Sequence, residues 1–291
     1  MNLEEQVLLA KLTTIGVGGP ARGFARPSTL SELEYALGWA AERELSVVTV
    51  GLGSNVLAAD AGVDALVLKL AGELAAVRVE GATLAAGGGA TNAVCLHQAR
   101  DAGLGGLEFA CAIPGTAGGG VWMNAGAYGD EWSQIVVRAR VVTSEGAGWL
   151  TPRELGLSYR HSDLRHGQVV AEVEYSLVER PIEEIKVRVA ELIAQRKATQ
   201  PTNKRTFGSV FKNPEHELGA GRMLEECGLR GHAIGGAVIS PKHANFIENA
   251  GGATAADALA LMAEARRRAR EQFGVELEHE VELLGPIDLP G

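Results

Sequence analysis

The sequence predicts an α+β protein with sheets in more than one domain, and three observations favour that class. Short apolar runs typical of strands alternate with glycine-rich turns over roughly the first 180 residues. Amphipathic helical patterns and a final strand-like run dominate the rest of the chain. The length of 291 residues and the hydrophobic content of 46% suit one large domain or two to three smaller ones with cores of their own.

The first elements predict an α/β unit. The stretch "STLSELEYALGWAAERE" indicates a helix that begins with a capping box of Ser31 and Glu34. Its apolar stripe is Leu30, Leu33, Leu37 and Ala41. A strand is indicated at residues 45–50, which are apolar and rich in β-branched residues, and the run "DALVLKL" is also strand-like. Next, "AVRVEGATLAAGGGA" predicts a hairpin that turns near Glu80 and Gly81, and a helix follows at about 90–102.

Strands and a long helix come after the central glycine-rich stretch. "IVVRARVVTSEGAGWL" and "QVVAEVEYSLVE" have strand character. The second should place Val169, Ala171, Val173, Tyr175 and Leu177 on one face. "IEEIKVRVAELIAQRKATQP" predicts a helix with an apolar stripe of Ile185, Val189, Leu192 and Ile193, and Arg196 at its end on the inward face.

The character of the sequence changes at Pro181, so we place a domain boundary near residue 180 and divide the chain into 1–75, 76–180 and 181–291. In the last part we expect a short helix around 219–228 and a second one that Thr254 opens and Gly274 closes. The run "VELEHEVELLG" predicts a final strand.

Composition and charge exclude several classes. The net charge of −9 argues against general affinity for nucleic acid or an anionic membrane. No segment reaches the roughly 18 apolar residues of a membrane span, and "MNLEEQVLLAKL" lacks a basic region before its apolar stretch. We therefore expect a cytoplasmic protein. Cys95, Cys111 and Cys227 form no CxxC pair, so we expect core residues and neither a disulfide nor a metal site.

Two glycine clusters are the candidate ligand-binding features. "GLGSN" at 51–55 follows a strand, where successive N–H groups form an anion-binding nest, although a plain turn explains the same residues. Six glycines lie within residues 112–129, "AIPGTAGGGVWMNAGAYG", which we interpret as an extended backbone surface for a ligand with a pyrophosphate spine. A packing point between sheets is the alternative explanation.

Several longer motifs resemble one enzyme family across nearly the whole chain. They are "TTIGVGGPA", "GLGSNVL", "GLEFACAIPGTAGGGVWMNAGAYG", "YRHS", "FGSVFKNP", "GLRGHAIGGAVISPKHANFIEN" and "LEHEVELLG". In this order they are similar to the UDP-N-acetylenolpyruvoylglucosamine reductases (MurB). Because only about 49 residues separate Arg160 from Ser209, the chain resembles the shorter, type II form.

The resemblance implies the fold and the reaction. It implies a two-subdomain FAD-binding fold of the vanillyl-alcohol-oxidase-like (PCMH-type) group, with FAD-binding subdomains at 1–75 and 76–180 and a C-terminal α+β substrate domain at 181–291. Its members use NADPH and bound FAD to reduce UDP-N-acetylglucosamine enolpyruvate to UDP-N-acetylmuramate, a step of peptidoglycan precursor synthesis. We expect a monomer with these small-molecule partners.

Site residues follow from the matched motifs. Hydride addition to the enolpyruvyl group develops charge on the neighbouring carboxylate, so the site needs a stabilising cation or acid and a separate proton donor. The resemblance assigns Arg160 to charge stabilisation, Ser209 to protonation of the α-carbon and Glu280 to assisting the enolate as an acid. Glu282 stands where many family members carry arginine, so one anion contact of the family is in question here.

Cofactor and substrate residues are assigned in the same way. The predicted cofactor-binding residues are Gly51, Gly53, Ser54, Asn55, Gly87, Ile113, Pro114, Gly115, Gly118, Gly119, Asn124, Gly126, Ala127 and Tyr128. The predicted substrate-binding residues are Tyr159, Arg196, Lys212 and Asn213.

Two other functions remain open from the residues alone. One is an FAD-dependent oxidase of small alcohols, against which the C-terminal motifs argue. The other is a flavin-free protein that binds nucleotide sugars, which would be colourless.

Overall fold

The computed structural model of the chain describes residues 2–289. Its strands are β1 (Leu3–Glu4), β2 (Val7–Leu8), β3 (Pro20–Ala25), β4 (Ser46–Thr49), β5 (Val56–Ala58), β6 (Val63–Leu68), β7 (Val77–Glu80), β8 (Thr83–Gly87), β9 (Leu104–Gly105), β10 (Gly126–Ala127), β11 (Asp130–Glu131), β12 (Val136–Thr143), β13 (Gly146–Leu150), β14 (Val169–Ser176), β15 (Val178–Glu179), β16 (Thr206–Ser209), β17 (Ala233–Ile234), β18 (Ala237–Ile239), β19 (Phe246–Asn249) and β20 (Glu282–Leu284). Its α-helices are α1 (Leu30–Ala41), α2 (Asn92–Asp101), α3 (Ala117–Trp122), α4 (Ile182–Thr199), α5 (Ala220–Glu226) and α6 (Ala255–Phe273).

The chain divides into two compact units. The first unit comprises residues 2–5, Gly23–Leu52 and Asp64–Arg196. The second unit comprises Gln6–Arg22, Gly53–Val63 and residues 197–289. These units do not follow sequence order, and α4 belongs to the first unit up to Arg196. Our division at residues 75 and 180 stays a prediction about domains.

An antiparallel sheet with the order β13-β12-β14-β8-β7 forms the largest part of the first unit. The predicted hairpin is confirmed, since β7 pairs with β8 and Glu80 lies opposite Thr83. The predicted helix at 90–102 is confirmed as α2. A second sheet has the order β1-β3-β6-β4, in which β4 and β6 are parallel. The first unit therefore combines antiparallel and parallel pairing.

The prediction for β14 is wrong in one respect. Val173, Tyr175 and Leu177 pack in one apolar cluster with Trp132, whereas Val169 and Ala171 belong to a different cluster, with Leu33 and Leu37 of α1. The pairing with β12 shifts register between Arg140 and Val141, which is a bulge. A bulge changes the face to which later side chains point, so strict alternation fails there.

The start of α1 also differs from the prediction. Thr29 is the N-cap and accepts a hydrogen bond from the Glu32 N–H, while the Glu32 carboxylate accepts from the N–H and hydroxyl of Ser28. The capping residues thus lie before Ser31 and Glu34. The buried stripe of the helix is Leu33, Ala36, Leu37 and Ala40, so Ala41 is not part of it.

The cysteines lie where we predicted, in or beside apolar clusters. Cys95 is buried, and burial raises the pKa of its thiol to about 12. Cys111 and Cys227 are partly buried and pack against the clusters of the first and second unit respectively. All three are free thiols.

The second unit has its own core between α6, α5 and a sheet with the order β16-β19-β18-β17. Helix α6 begins after Thr254 and ends at Gly274, which has a left-handed φ of 69°, as predicted. The last strand is shorter than predicted. Only β20 (Glu282–Leu284) is regular, parallel to β5, and an isolated bridge joins Phe211 to His279.

Candidate active site

In the second unit, three segments that are distant in sequence meet at Ser209. The Glu280 N–H donates to the Val210 carbonyl at 2.8 Å, so Ser209 and Glu280 lie on neighbouring segments. The Asn55 side chain donates to the Glu280 carbonyl at 3.1 Å, and the Asn55 carbonyl accepts from the Glu282 N–H. Asn55 is thereby fixed to the segment that carries the predicted acid.

Ser209 ends β16 beside a local irregularity. Gly208 has a φ of 84°, and a Cβ at this position would lie 3.2 Å from the Ser54 carbonyl oxygen. The pairing of β16 with β19 shifts register between Thr206 and Ser209. Phe207 and Phe211 on either side are buried, which keeps water from the inner side of this segment. Ser209 itself is half-buried, so a ligand can reach its hydroxyl.

Lys212 and Asn213 follow in the same segment. The Lys212 ammonium lies 2.6 Å from a Glu278 carboxylate oxygen, and its side chain is only 17% exposed. The Asn213 side-chain oxygen accepts from the N–H of Ala220 at the start of α5. Glu276 pairs with Arg266, so Glu276 and Glu278 each have a cationic partner.

In the first unit, Arg160 lies at the tip of a tight loop. Ser158 and His161 exchange both of their main-chain hydrogen bonds, which leaves Tyr159 and Arg160 at the turn. Arg160 has a φ of 51°, a conformation that non-glycine residues rarely adopt outside functional or strained sites. Its guanidinium donates to the Gly126 carbonyl at 2.6 Å and lies 5.0 Å from the Tyr159 ring centroid.

Hydrogen bonds of the Asn124 side chain stabilise this loop. Its side chain donates to the Ser158 carbonyl and to the Glu131 carboxylate and accepts from the Ser133 N–H. The residue has no exposed surface and a φ of 38°. Its predicted cofactor contact stays a prediction, whereas its role as an anchor of the Arg160 loop follows directly from these bonds.

Tyr128 and Arg196 form a second group in the first unit, beside Cys111. The Tyr128 hydroxyl donates to the Leu192 carbonyl at 3.5 Å, and Tyr128 has a φ of 58°. Burial lowers the pKa of Arg196, while Tyr128 and Cys111 nearby act in the opposite direction. Arg196 lies on the inward side of α4, as predicted, and a desolvated guanidinium of this kind favours an anionic partner.

Packing explains several glycines of the candidate site. An added Cβ would lie 2.6 Å from Thr116 Oγ1 at Gly51 and 2.1 Å from the Leu12 carbonyl oxygen at Gly53. The corresponding neighbours are the Leu74 carbonyl at Gly87, at 2.4 Å, and the Asp130 carbonyl oxygen at Gly126, at 2.5 Å. These glycines allow close approach of the chain to itself.

Two other glycines are not explained in this way. At Gly119 the nearest atom to an added Cβ is Thr116 Oγ1 at 3.5 Å, an ordinary contact, and at Gly115 it is Asn92 Nδ2 at 3.1 Å. The extended surface that we predicted for this stretch is wrong, because Ala117–Trp122 form α3 with Thr116 as its N-cap. Pro114 and Gly119 are exposed at this corner.

Unused main-chain donors fit an anionic cofactor. Among the hydrogen bonds of residues 2–289, none uses the N–H of Gly53 or Asn55 in the second unit, and none uses that of Gly51, Leu52 or Gly115 in the first. Main-chain N–H groups that the fold leaves without acceptors are the donors of anion-binding nests. The residues present therefore fit a ligand with a pyrophosphate group.

Comparison with known proteins first defines the class. Residues 21–148 match the family model described as the FAD binding domain. Residues 200–284 match that of the C-terminal domain of UDP-N-acetylenolpyruvoylglucosamine reductase. The chain is thus a flavoprotein with an FAD-binding part and a distinct C-terminal domain.

Full-length relatives then define the family. The chain is 44% identical to UDP-N-acetylenolpyruvoylglucosamine reductase 2 of Symbiobacterium thermophilum over 95% of this chain and 90% of the relative. It is 43% identical to the reductase of Anaeromyxobacter dehalogenans strain 2CP-C over 97% of this chain and 87% of the relative. The crystal structure of MurB from Thermus caldophilus superimposes with a TM-score of 0.86, at 39% identity, over 98% of this chain and 99% of the other. The chain belongs to the UDP-N-acetylenolpyruvoylglucosamine reductase family.

These findings confirm the predicted family and fold class. The individual site residues and the type II form stay predictions; β14, β15 and α4 lie between Arg160 and Ser209. Within residues 2–289, no helix combines the length and apolar character that a membrane crossing requires. Sequence reasoning missed Thr116 and Asn245, and the only signal for Asn245 is a polar residue directly before the apolar pair Phe246 and Ile247 that begins β19.

Proposed function

We propose that this chain reduces the enolpyruvyl ether of UDP-N-acetylglucosamine enolpyruvate to UDP-N-acetylmuramate, with FAD as bound cofactor and NADPH as reductant. The product serves peptidoglycan precursor synthesis. Family membership over nearly the full chain supports the reaction. The N–H groups of Gly51, Leu52, Gly53 and Asn55, which donate to no acceptor within residues 2–289, support the cofactor. When bound, FAD would supply the hydride chemistry between NADPH and the enolpyruvyl group.

Main-chain groups of the two glycine clusters would hold the cofactor. In the first unit, the exposed corner of Pro114, Gly115 and Gly119 and the N–H groups of Gly51 and Leu52 serve this purpose. In the second unit, the N–H groups of Gly53 and Asn55 do so, with the Ser54 hydroxyl beside them. Ordered main-chain donors bind a pyrophosphate without a lysine.

Arg160 stabilises the negative charge that develops on the substrate carboxylate. A planar guanidinium binds a carboxylate through two parallel hydrogen bonds. The bond to the Gly126 carbonyl and the Asn124 anchor below the loop orient the side chain before substrate arrives. A donor oriented in advance needs no reorganisation during the reaction, which makes it effective.

Ser209 donates a proton to the α-carbon, and Glu280 assists as an acid. A serine hydroxyl is a weak acid, so it protonates only a strongly basic species such as an enolate. The hydrogen bond between the Glu280 N–H and the Val210 carbonyl keeps both residues on adjoining segments. The buried phenylalanines on either side of Ser209 limit proton exchange with water.

Tyr159, Arg196, Lys212 and Asn213 bind the UDP-sugar. Burial lowers the pKa of Arg196, so we assign this guanidinium to the anionic diphosphate. Lys212 is held by Glu278 and can exchange that carboxylate for a substrate phosphate. Both substrates are charged nucleotides that do not cross a membrane unaided, so we place the reaction in the cytoplasm. We also expect a monomer.

An absorption spectrum tests this function directly. The purified protein, after reconstitution with FAD, should show flavin bands that NADPH bleaches anaerobically and that the enolpyruvyl nucleotide then restores, with one product formed per flavin. If the flavin bands return only with the carbonyl product of a small alcohol, and not with the enolpyruvyl nucleotide, the protein would instead be an oxidase of small alcohols. Colourless protein that takes up no FAD would contradict the proposal.

A further inference from the structure

Asn245 is a buried polar residue that contacts the segment carrying Ser209. It is 5% exposed and lies directly before β19. Its Oδ1 accepts from the Phe211 N–H at 2.9 Å, and its Nδ2 donates to the Phe211 carbonyl at 2.8 Å. Its own main-chain carbonyl accepts from the Val210 N–H at 2.9 Å. One residue thus makes three hydrogen bonds to two consecutive residues.

The opposite side of the same segment is bound by the chain around Glu280. The Val210 carbonyl accepts from the Glu280 N–H, and the Lys212 N–H donates to the Glu278 carbonyl at 2.9 Å. Residues 210–212 therefore lie between Asn245 on one side and residues 278–280 on the other. The segment connects Ser209 at its start with Lys212 and Asn213 at its end.

An asparagine is needed here because regular strand pairing stops. The β16–β19 ladder shifts register between Thr206 and Ser209 and ends at Ser209. Among the main-chain hydrogen bonds of residues 2–289, none uses the N–H or the carbonyl of Phe211. A carboxamide carries one acceptor and one donor group, like a peptide unit, and can replace the missing partner. Without it, a buried N–H and a buried carbonyl lose their hydrogen bonds, which is more costly than never forming them.

We infer that Asn245 is a positioning residue for the reaction: it sets the place of the Ser209 hydroxyl and of Lys212 by holding Phe211 between them. The inference rests on the proposed function of Ser209 as proton donor. A displacement of about 1 Å at a reacting group costs on the order of 100-fold in rate. Loss of the Asn245 clamp, by which we mean its two side-chain hydrogen bonds to Phe211, should therefore slow the step that uses Ser209.

The test compares the two half-reactions of the FAD-loaded enzyme in an Asn245→Ala variant. Flavin reduction by NADPH should stay within twofold of the parent. Reoxidation by the enolpyruvyl nucleotide should slow by about 10- to 100-fold in its limiting rate, with a smaller change in the substrate concentration for half-saturation.

Asp257→Ala is the matched control. Asp257 also lies in the second unit and also makes two hydrogen bonds to the main chain, accepting from the N–H groups of Thr254 and Gly236. It is remote from the 209–213 segment in the hydrogen-bond network, so both half-reactions should stay within threefold of the parent. Equal effects of Asn245→Ala and Asp257→Ala on reoxidation would overturn the inference.

An Asn245→Asp variant keeps the test decisive if the alanine variant does not fold. A neutral carboxyl group retains one acceptor and one donor, whereas a carboxylate retains only acceptors. The ratio of reoxidation rate to flavin-reduction rate should therefore recover as the pH falls, and the parent measured at each pH corrects for His243, whose Nδ1 accepts from the Asn245 N–H. A pH-independent ratio would contradict the clamp.

Failure of the inference is distinguishable from failure of the proposed function. If Ser209→Ala leaves reoxidation unchanged, the assigned proton donor is wrong. If Ser209→Ala abolishes reoxidation while Asn245→Ala matches its control, the function stands and the positioning role falls.

Discussion

The two compact units hold their candidate residues by different means. In the first unit, Asn124, Tyr128 and Arg160 all have positive φ and lie on loops that a few side-chain hydrogen bonds stabilise. In the second unit, Ser209, Lys212 and Glu280 lie on segments joined by main-chain hydrogen bonds, and the positive φ falls on Gly208 instead. Under the proposed roles, the residues for charge recognition lie on strained loops and the proton donor lies on a hydrogen-bonded segment.

The largest expected effect tests the proposed role of Ser209 in the second unit. Ser209→Ala should reduce product formation by about 100- to 10,000-fold, because general acid catalysis contributes that much, while NADPH still bleaches the flavin. Stopped-flow absorbance of each half-reaction measures both. Ser176→Ala, at the exposed end of β14, is the control and should match the parent. Unchanged turnover in Ser209→Ala would remove this residue from the mechanism.

Arg160→Lys tests the loop of the first unit. Lysine keeps the charge but loses the planar fork and the fixed bond to the Gly126 carbonyl, so substrate-dependent reoxidation should fall by about 100-fold. Arg165→Lys, on an exposed loop of the same unit, is the matched substitution and should have no effect. If Arg160→Lys also behaves like the parent, the guanidinium geometry is irrelevant to the reaction.

Gly119→Ala separates the two explanations of the glycine-rich stretch. The structure has room for the methyl group, and alanine favours a helix by roughly 1 kcal/mol over glycine, so the melting temperature of the FAD-free protein should not fall. The dissociation constant for FAD, measured by flavin fluorescence, should nevertheless rise by about tenfold, which is roughly 1.4 kcal/mol.

Gly148→Ala is the control for that measurement, since Gly148 lies on β13 and, apart from its chain neighbours, residues 2–289 place no atom within 4 Å of an added Cβ. Its affinity for FAD should equal that of the parent. A normal affinity in Gly119→Ala as well would mean that this glycine serves the helix alone.

How much the sequence predicts depends on the range of the interaction. The ends of helix α6 were predictable because Thr254 and Gly274 act within one turn of them. The start of α1 was not, since Ser28, Thr29 and Ser31 are all competent caps and only the structure shows that Glu32 binds Ser28. The bulge in β14 depends on its partner β12, and the Asn245 clamp joins residues 34 positions apart. Neither leaves a local pattern.

The smallest expected effect is a loss of stability at acidic pH, where the carboxylates at the starts of α1 and α6 become protonated. Hydrogen bonds from the hydroxyl and N–H of Ser28 lower the pKa of Glu32 in the first unit from 4.5 to about 2, and main-chain bonds from Thr254 and Gly236 lower that of Asp257 in the second. A carboxyl whose pKa is lower in the folded state stabilises the fold fully above its unfolded pKa, and it loses that contribution as the pH falls through the folded pKa.

The melting temperature of Glu32→Gln should therefore lie below that of the parent at pH 7, and the difference in melting temperature should narrow between about pH 4.5 and pH 2. Glu34→Gln, two residues further along on the exposed face of α1, should show a smaller difference in melting temperature at every pH. A difference for Glu32→Gln that does not depend on pH would mean that the negative charge contributes nothing to the start of α1.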